Sequence, residues 1–310
     1  MMRDLTIPAQ AAARRSATGR SSSTSWIGLL FIAPFLLCYL TLLVWPLLNG
    51  VWLSFHAIDL LSNIGRWVGA TNFVDLLQDE MFVRSAFNTV LFAALCTPVM
   101  VVTGLALALA LNRPGRTTAM LRGVFFGAGV LSVTIVTLIW RLVLLPERGL
   151  LANAMHGMGL ASVAPLNNEW LALPAVALAT VWWGIGMPMM LFLASLQQIP
   201  QDVYEAAALD NTSRWRSFRH ITLPAIRHSV ILVAVTQMIA QLQVFGQVQL
   251  LTQGGPNNST RSLVMFVYEA MFEQWQLGYA AAGAQALFLL MLAGMSLQGL
   301  LERRAGKAQS

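Results

Sequence analysis

The side chains best placed to do chemistry lie in two parts of the chain. One is the polar stretch 198–224, which carries Glu205, Trp215 and Phe218 between two long apolar runs. The other is the apolar run 225–251, which contains several glutamines. A carboxylate and aromatic rings on a polar loop can bind another protein, whereas amides in apolar surroundings must find polar partners. The sequence therefore predicts a docking surface and a polar site, each positioned by the apolar runs around it.

The polar stretch has a helical pattern of its own. Pro200 suits the first turn of a helix, and the Ala-rich residues 205–209 are strong helix formers. Asp210 and Asn211 are expected to end this helix, because Asn tolerates the left-handed backbone of a C-terminal cap. Thr212 and Ser213 can then cap a second short helix that carries the two aromatic residues. The stretch is predicted to form two short helices whose small residues allow close docking onto another protein.

The composition is that of a membrane protein. Hydrophobic residues make up 57% of the chain and charged residues only 10%, which is typical of membrane rather than soluble domains. A bilayer span needs about 20 apolar residues, and such runs occur at 26–48, 88–111, 123–145, 171–196, 225–251 and 279–301. The predicted fold class is an all-α integral membrane protein with six transmembrane helices. Its predicted parts are a disordered cytoplasmic tail at 1–25, a membrane domain at 26–302 containing the loop 196–224, and a cytoplasmic tail at 303–310.

The basic residues lie mainly on one side of these spans. With the N-terminus inside, the outer side holds only Arg66, Arg84, Arg141, Arg148 and Arg261. This bias predicts that both termini and the loop 196–224 are cytoplasmic. The net charge of +6 is therefore explained by membrane topology and does not indicate a nucleic-acid partner. The basic N-terminal tail is expected to contact anionic membrane lipid.

Two sets of residues inside the spans are candidates for binding a solute. Thr180, Trp183, Gly184 and Met187 are spaced i, i+3, i+4 and i+7, so they share one face of a continuous helix. A tryptophan, a hydroxyl and a glycine on one face can form a platform for a sugar. Ordinary packing of small residues between helices explains the same pattern about equally well.

The fifth span contributes the second set. Gln237, Gln241 and Phe245 form a stripe at i, i+4 and i+8 of a continuous helix. Buried amides either bond to neighbouring helices or line a wet cavity, and the sequence leaves both alternatives open.

Few residues suit catalysis or metal binding. The four histidines are scattered over both sides of the spans, without the spacing of a metal site. A P-loop needs a glycine-rich loop that ends in lysine, and the one lysine in the sequence is Lys307, in the C-terminal tail. The sequence therefore predicts neither an enzyme nor a metal or cofactor site.

The polar stretch resembles a known motif. It contains Glu-Ala-Ala at 205–207, a turn residue at Asn211, then Ile221 and Leu-Pro at 223–224. This spacing resembles the EAA loop of ABC importer permeases, although the family usually has Gly at the position of Asn211. Gly-Gly-Pro at 254–256 also resembles an outer loop of carbohydrate importer permeases, specifically the first of their two membrane subunits.

The resemblance implies a fold, a set of partners and a function. The fold would be that of type I ABC importer permeases, in a bacterial inner membrane. The partners would be a second homologous permease, a cytoplasmic ATPase dimer that binds ATP and Mg²⁺, and an extracytoplasmic solute-binding protein. The function would be import of a sugar or sugar-like solute by alternating access.

The resemblance also implies roles for particular residues. Counted from Glu205 without a gap, the solute-binding candidates align with sugar-facing positions of the maltose-type permease, namely Thr180, Trp183, Gly184, Met187, Gln237 and Gln241. The residues expected to couple to the ATPase are Glu205, Ala206, Ala207, Asp210, Asn211, Trp215 and Phe218. The lack of charge in the middle of the spans favours a neutral polyhydroxy solute over an anionic one such as a glycerol phosphate.

The alternative function is that of an ion-coupled secondary transporter of a small polar solute. Proton or sodium coupling commonly uses carboxylates inside the spans, and every Asp and Glu falls outside them. Sodium coordinated by backbone carbonyls leaves this alternative open.

Overall fold

The computed structural model describes residues 23–59 and 64–307, and this part of the chain is almost entirely helical. The prediction of an all-α membrane protein is confirmed, with one short two-stranded hairpin in the described residues. By its internal contacts the chain divides into two compact units, residues 1–49 and 50–310. Most of the predicted tail at 1–25, and residues 308–310, lie outside the described ranges.

The first predicted span is helical. It consists of α1 (Ser23–Tyr39), a π-helical turn (Leu40–Val44) and α2 (Trp45–Ser54). The helix continues past Pro46, because the π turn before it shifts the carbonyl that the proline ring would otherwise meet. Its part Leu30–Ser54 is long and apolar enough to cross a membrane.

Residues 56–59 and 64–78 form a small structure that leads into the second span. The strands β1 (His56–Asp59) and β2 (Ile64–Trp67) pair antiparallel, with His56 opposite Trp67, and α3 (Thr71–Gln78) follows. The buried Asn72 side chain fastens α3 to this hairpin, since its Nδ2 donates to the backbone oxygens of Ser54 and His56 at 2.8 and 3.1 Å.

The second span, α4 (Glu80–Leu111), is the central helix of residues 50–310. It begins well before the predicted residue 88, because the Asp79 carboxylate caps it by accepting from the backbone N–H groups of Met81 and Phe82. Helices from the fourth and fifth spans pack on it. One buried cluster around Phe92 and another around Phe192 lie along its length.

The third, fourth and fifth predicted spans are broken rather than continuous. In the described part of the chain, three helices are long and apolar enough to cross a membrane, or up to six if each bent pair counts as one span. The third span is α5 (Arg116–Ala128) and α6 (Val133–Leu144), bent by 98°. After α7 (Leu150–Gly157), the fourth is α8 (Glu169–Gly184) and α9 (Gly186–Leu196), bent by 46°.

The fifth span and the loop before it form one chain of short helices. The elements are α10 (Gln201–Leu209), α11 (Arg214–Ser217), a π turn (Phe218–Thr222), α12 (Leu223–Ala225), α13 (Arg227–Leu242) and α14 (Gly246–Leu251). The chain bends by 68° between α12 and α13, and residues 243–245 separate α13 from α14.

The last part of the chain packs as a helix pair. The helix α15 (Leu263–Phe272) has a buried face that lies against the last span, α16 (Leu277–Lys307). At the start of α16, a Cβ on Gly278 would overlap the His56 carbonyl oxygen, so glycine permits this contact. We call the end of the molecule that carries the hairpin and residues 252–262 the hairpin end, and the end that carries residues 197–226 the loop end.

Candidate functional site

The first helix of the loop end is formed as the sequence predicts. One detail differs from the prediction, because Pro200 lies immediately before α10 rather than in its first turn, and α10 ends at Leu209. The predicted left-handed turn at Asn211 is confirmed, with φ of 52°. Ser213 then caps α11, since its hydroxyl accepts from the Arg216 backbone N–H at 3.4 Å. The chain therefore turns tightly between α10 and α11 without a glycine.

The second helix of the loop is longer than predicted. The π turn Phe218–Thr222 joins α11 to α12, so the helical backbone runs from Arg214 to Ala225, directly into the bend before α13. The π turn precedes Pro224, which has no backbone N–H to donate. The loop is consequently connected to the fifth span by helix rather than by flexible chain.

The outer surface of the loop combines small and apolar side chains. Glu205 and Ala206 are exposed, while Ala207 is half-buried. The Trp215 ring is 68% exposed and rests on Phe218, with ring centroids 5.6 Å apart. Leu209, 86% exposed at the end of α10, adds an apolar side chain that the sequence analysis missed. A large apolar residue at the end of an Ala-rich helix in a polar stretch was the available signal.

The inner surface of the loop covers a cavity of about 360 Å³. Tyr204 projects from α10 on this side, and its hydroxyl lies 2.9 Å from the buried Thr222 hydroxyl. Leu109 and Asn112, at the end of α4, also line the cavity. Sequence reasoning missed Tyr204, because a tyrosine beside a glutamate on a polar helix gives no sign of facing inward.

The second candidate site lies where the broken spans meet. The Trp183 indole Nε1 donates to the backbone oxygen of Leu131 at 3.1 Å, and Leu131 lies in the break between α5 and α6. A Cβ on Gly186, at the start of α9, would overlap the Phe125 carbonyl oxygen in α5. The break of the fourth span is therefore packed against the break of the third.

The break of the fifth span joins the other two. A Cβ on Gly246, the first residue of α14, would lie 3.1 Å from Val133 Cγ2, and Val133 is the first residue of α6. We call the three breaks with the residues that flank them, 129–133, 183–186 and 241–246, the break cluster. Broken helices that meet inside a membrane protein commonly form its solute site, because their ends leave backbone groups free to bind.

Two of the predicted glutamines lie in or beside the break cluster. Gln241 is 5% exposed, and its Nε2 lies 3.5 Å from both Met100 Sδ and Gln237 Oε1. Gly184 faces the same methionine, since a Cβ there would lie 2.9 Å from Met100 Cε. The structure therefore brings Gln241 and Gly184 together at Met100, with Gln237 beside Gln241. Apolar periodicity gave no reason to select Met100.

The predicted stripe of the fifth span is wrong at its third member. Phe245 lies beyond the end of α13 in a non-helical backbone, so it does not continue the line of Gln237 and Gln241. Its ring packs on Tyr268 instead, with centroids 5.1 Å apart. The stripe required a continuous helix, and residues 243–245 interrupt it.

The predicted face of the fourth span is also divided. Thr180 is 3% exposed, and its hydroxyl donates to the Val176 backbone oxygen at 2.8 Å. Met187 is 55% exposed and follows the 46° bend. Trp183 and Gly184 lie at the break itself. The face is not continuous, because the bend at Ile185 changes the direction of the helix between Gly184 and Met187.

The hairpin end contains a tightly held loop. The Asn88 Nδ2 donates to the backbone oxygens of Asn258 and Arg261 at 2.8 and 3.1 Å, which fixes the loop to α4. Arg261 forms an ion pair with Glu269 of α15. Burial raises the pKa of the Glu269 carboxyl, and although Arg261 acts to lower that pKa, nearby Glu273 raises it further.

The described residues hold no group of three or more His, Cys, Asp or Glu side chains that could bind a metal ion. The two candidate sites differ in their exposure and in the groups they offer. One is an exposed protein surface, and the other is a buried meeting point of polar side chains and helix ends.

Comparison with known proteins identifies the family. Residues 77–307 match the family of binding-protein-dependent transport system inner membrane components, and the chain belongs to this family. It is therefore a transport subunit and a multi-pass inner membrane protein.

Relatives and a solved structure agree with this assignment. The diacetylchitobiose uptake system permease protein NgcF of Streptomyces coelicolor is 34% identical over 78% of this chain and 72% of its own length. The sn-glycerol-3-phosphate transport system permease protein UgpA of Yersinia pestis is 30% identical over 87% of this chain and 92% of its own. A chain of a bacterial ABC transporter involved in the import of the acidic polysaccharide alginate has the same fold, with a TM-score of 0.80, 22% identity, and coverage of 91% of this chain and 96% of that one. The predicted type I permease fold is confirmed.

Proposed function

We propose that the chain is the membrane-spanning subunit of an ATP-driven importer that moves a sugar or sugar-like solute by alternating access. One observation carries this function. The loop helix α10 and the buried Gln241 belong to one nearly continuous series of helices, residues 201–242. A displacement of the loop can therefore reach the break cluster through the backbone of the fifth span.

The break cluster provides the motion and the site. Breaks let each half of a span tilt without disturbing the other half, as in hinge closure. Trp183, Gln237 and Gln241 supply an indole, two amides and their polar atoms near the point where the halves meet. Among the described residues of the break cluster none is charged, which favours a neutral polyhydroxy solute. The proposed binding residues are Thr180, Trp183, Gly184, Met187, Gln237, Gln241 and Phe245.

The relatives support a carbohydrate-like solute but differ in charge. NgcF is named for diacetylchitobiose and UgpA for sn-glycerol-3-phosphate. An anionic phosphate ester would call for a cation near the site, and the described break cluster supplies none. A neutral sugar therefore fits this chain better than a phosphate ester does.

The proposed assembly has partners on both faces of the membrane. The alginate transporter has also been solved in complex with an alginate pentasaccharide-bound periplasmic protein, which supports a solute-binding protein at the hairpin end. We place a second homologous permease beside this chain and a cytoplasmic ATPase dimer on the loop end. ATP and Mg²⁺ bind to that ATPase, and the permease itself uses no cofactor. Both termini lie in the cytoplasm, as the basic residues predict.

The loop surface would dock onto the ATPase. Glu205 supplies a charged contact, Ala206 and Ala207 allow close approach, and Trp215 with Phe218 supplies an aromatic anchor. Asp210 and Asn211 shape the turn that holds both helices in place. Closure of the ATPase dimer moves α10 and, through α11 and α12, tilts α13 at the break cluster.

Reconstitution tests this function. The tagged chain is purified with its second permease and the ATPase, placed in vesicles with the binding protein, and assayed with neutral sugars and with phosphate esters. We expect the ATPase to remain bound and uptake of a neutral sugar to require ATP. Uptake driven by an ion gradient without ATP would support the secondary transporter instead. Preference for a phosphate ester would refute the neutral-solute part alone.

A further inference from the structure

In the part of the chain that the structure describes, one long-range side-chain hydrogen bond ties the inward side of α10 to the base of the fifth span. Tyr204 Oη and Thr222 Oγ1 lie 2.9 Å apart, and the two residues are separated by 18 positions in the chain. The other side-chain hydrogen bonds of α10 in the described structure are local, from Gln201 to Glu205 and from the Val203 backbone N–H to Asp202. The tyrosine therefore makes the long-range side-chain bond of this helix.

An open pocket lies beside this bond. Ala207 and Ala208 line the cavity beside Tyr204, and their short side chains leave about 360 Å³ between α10 and the neighbouring helices. Close packing transmits movement between elements because packed side chains resist displacement. Over a cavity, that resistance is missing, so the hydrogen bond must carry more of the connection.

Thr222, the partner of Tyr204, lies directly before the bend that leads into the fifth span. Thr222 is 4% exposed and is the last residue of the π turn, directly before α12 and the 68° bend into α13. Its backbone oxygen also accepts from Ile226, the residue at the bend, at 3.1 Å. Movement that reaches Thr222 is therefore delivered to the base of the fifth span.

We propose that Tyr204 is a positioning residue for energy coupling: its hydrogen bond to Thr222 makes α10 and the base of the fifth span move as one body. This rests on the proposed function, because the displacement of α10 is the one that the ATPase would cause. Without the bond, α10 can shift into the cavity and the ATPase can complete its cycle without tilting α13. ATP hydrolysis would then continue while transport fell.

The test measures ATP hydrolysed per solute transported by the reconstituted complex with its binding protein. Tyr204→Phe keeps the ring and removes the hydroxyl, and Thr222→Val keeps the shape and removes the other hydroxyl. Each should raise the ratio roughly three- to tenfold, the range that loss of one hydrogen bond produces. Thr222→Ser retains a hydroxyl and should keep the wild-type ratio. The matched control is Tyr39→Phe, on the first span. Tyr39 is 45% exposed, and its substitution should leave the ratio unchanged.

The double variant Tyr204→Phe with Thr222→Val completes the test. It should be no worse than the more affected single variant, because both changes remove the same bond. Wild-type ratios in the single variants, additive effects in the double variant, or a Thr222→Ser complex as uncoupled as Thr222→Val would each overturn the proposal. Loss of the ATPase from the Tyr204→Phe complex would also overturn it, since the residue would then act in docking. If wild-type uptake does not depend on ATP, the proposed function itself fails, which is a separate result.

Discussion

The loop end and the break cluster are held together by different kinds of contact. In the loop, Asn211 and Ser213 shape the chain through bonds to residues three or four positions away, and the outer surface stays exposed. In the break cluster, Trp183 bonds to a residue 52 positions away and Gln241 to one 141 positions away. The loop keeps its shape from its own residues, so it can bind and release a partner without unfolding. The break cluster exists only while several spans stay packed, so its shape can change when they move.

The largest effect is expected at the tightest contact of the break cluster. Gly186→Ala would place a methyl group on the Phe125 backbone oxygen, and a backbone atom gives way far less readily than a flexible side chain. We expect the free energy of unfolding to fall by about 1–3 kcal/mol or more, through overpacking. Thermal unfolding of the purified complex measures this change.

Adding a Cβ at two other glycines should cost progressively less stability. A Cβ on Gly184 would meet the flexible end of Met100, so Gly184→Ala should cost less than Gly186→Ala. A Cβ on Gly123, in α5, has open space around it, so Gly123→Ala should be neutral or slightly stabilising. Equal losses from all three variants would contradict the close packing of the breaks.

The loop should respond through binding rather than stability. Trp215→Ala removes an exposed ring that is held in place by Phe218, so we expect the ATPase to bind roughly 30-fold more weakly, as for a hot-spot residue worth about 2 kcal/mol. The unfolding temperature of the chain should change little. Titration of the ATPase onto the permease pair in detergent measures the affinity.

A second exposed tryptophan provides the control for this prediction. Trp170 is 86% exposed at the hairpin end, away from the loop. Trp170→Ala should leave the affinity for the ATPase unchanged. If both variants weaken binding equally, or if Trp215→Ala binds normally, the loop is not the docking surface.

A third prediction separates transport from coupling within the break cluster. Gln241→Met removes the buried amide and keeps a side chain of similar length beside Met100. Uptake should fall roughly tenfold through a higher KM, while ATP hydrolysis stimulated by the binding protein continues. The exposed Gln274 at the hairpin end serves as the control, and Gln274→Met should not alter uptake. Unchanged uptake by Gln241→Met would assign the glutamine to helix packing.

The same difference in contacts explains what the sequence could predict. The turn at Asn211 and the cap at Ser213 follow from neighbouring residues, so both were predictable. The breaks were not, because Gly186 and Gly246 in apolar runs look like any small residue between packed helices. Trp183 and Gln241 could be selected by residue type, but their partners Leu131 and Met100 depend on how distant spans pack.

The short strands of the hairpin end were also missed, for a related reason. β1 and β2 have four residues each, too few for an alternating pattern to stand out from a loop. The start of α4 at Glu80, by contrast, had a readable local signal in the capping carboxylate of Asp79.

The smallest expected effect lies at the hairpin end, where a partly buried ion pair adds a third kind of contact. The pKa of the Glu269 carboxyl is raised in the folded protein, chiefly by burial, so the folded state binds more protons than the unfolded state between the two pKa values. This contribution to stability is fully present below the unfolded pKa and is lost as the pH rises through the folded pKa. The unfolding temperature should therefore fall by a few degrees at most as the pH rises from the unfolded to the folded pKa of Glu269. Glu269→Gln should reduce the change of unfolding temperature with pH, and the control Glu147→Gln, at an exposed residue, should not. If the unfolding temperature instead rises with pH in the wild type but not in Glu269→Gln, the effect of Arg261 dominates over burial.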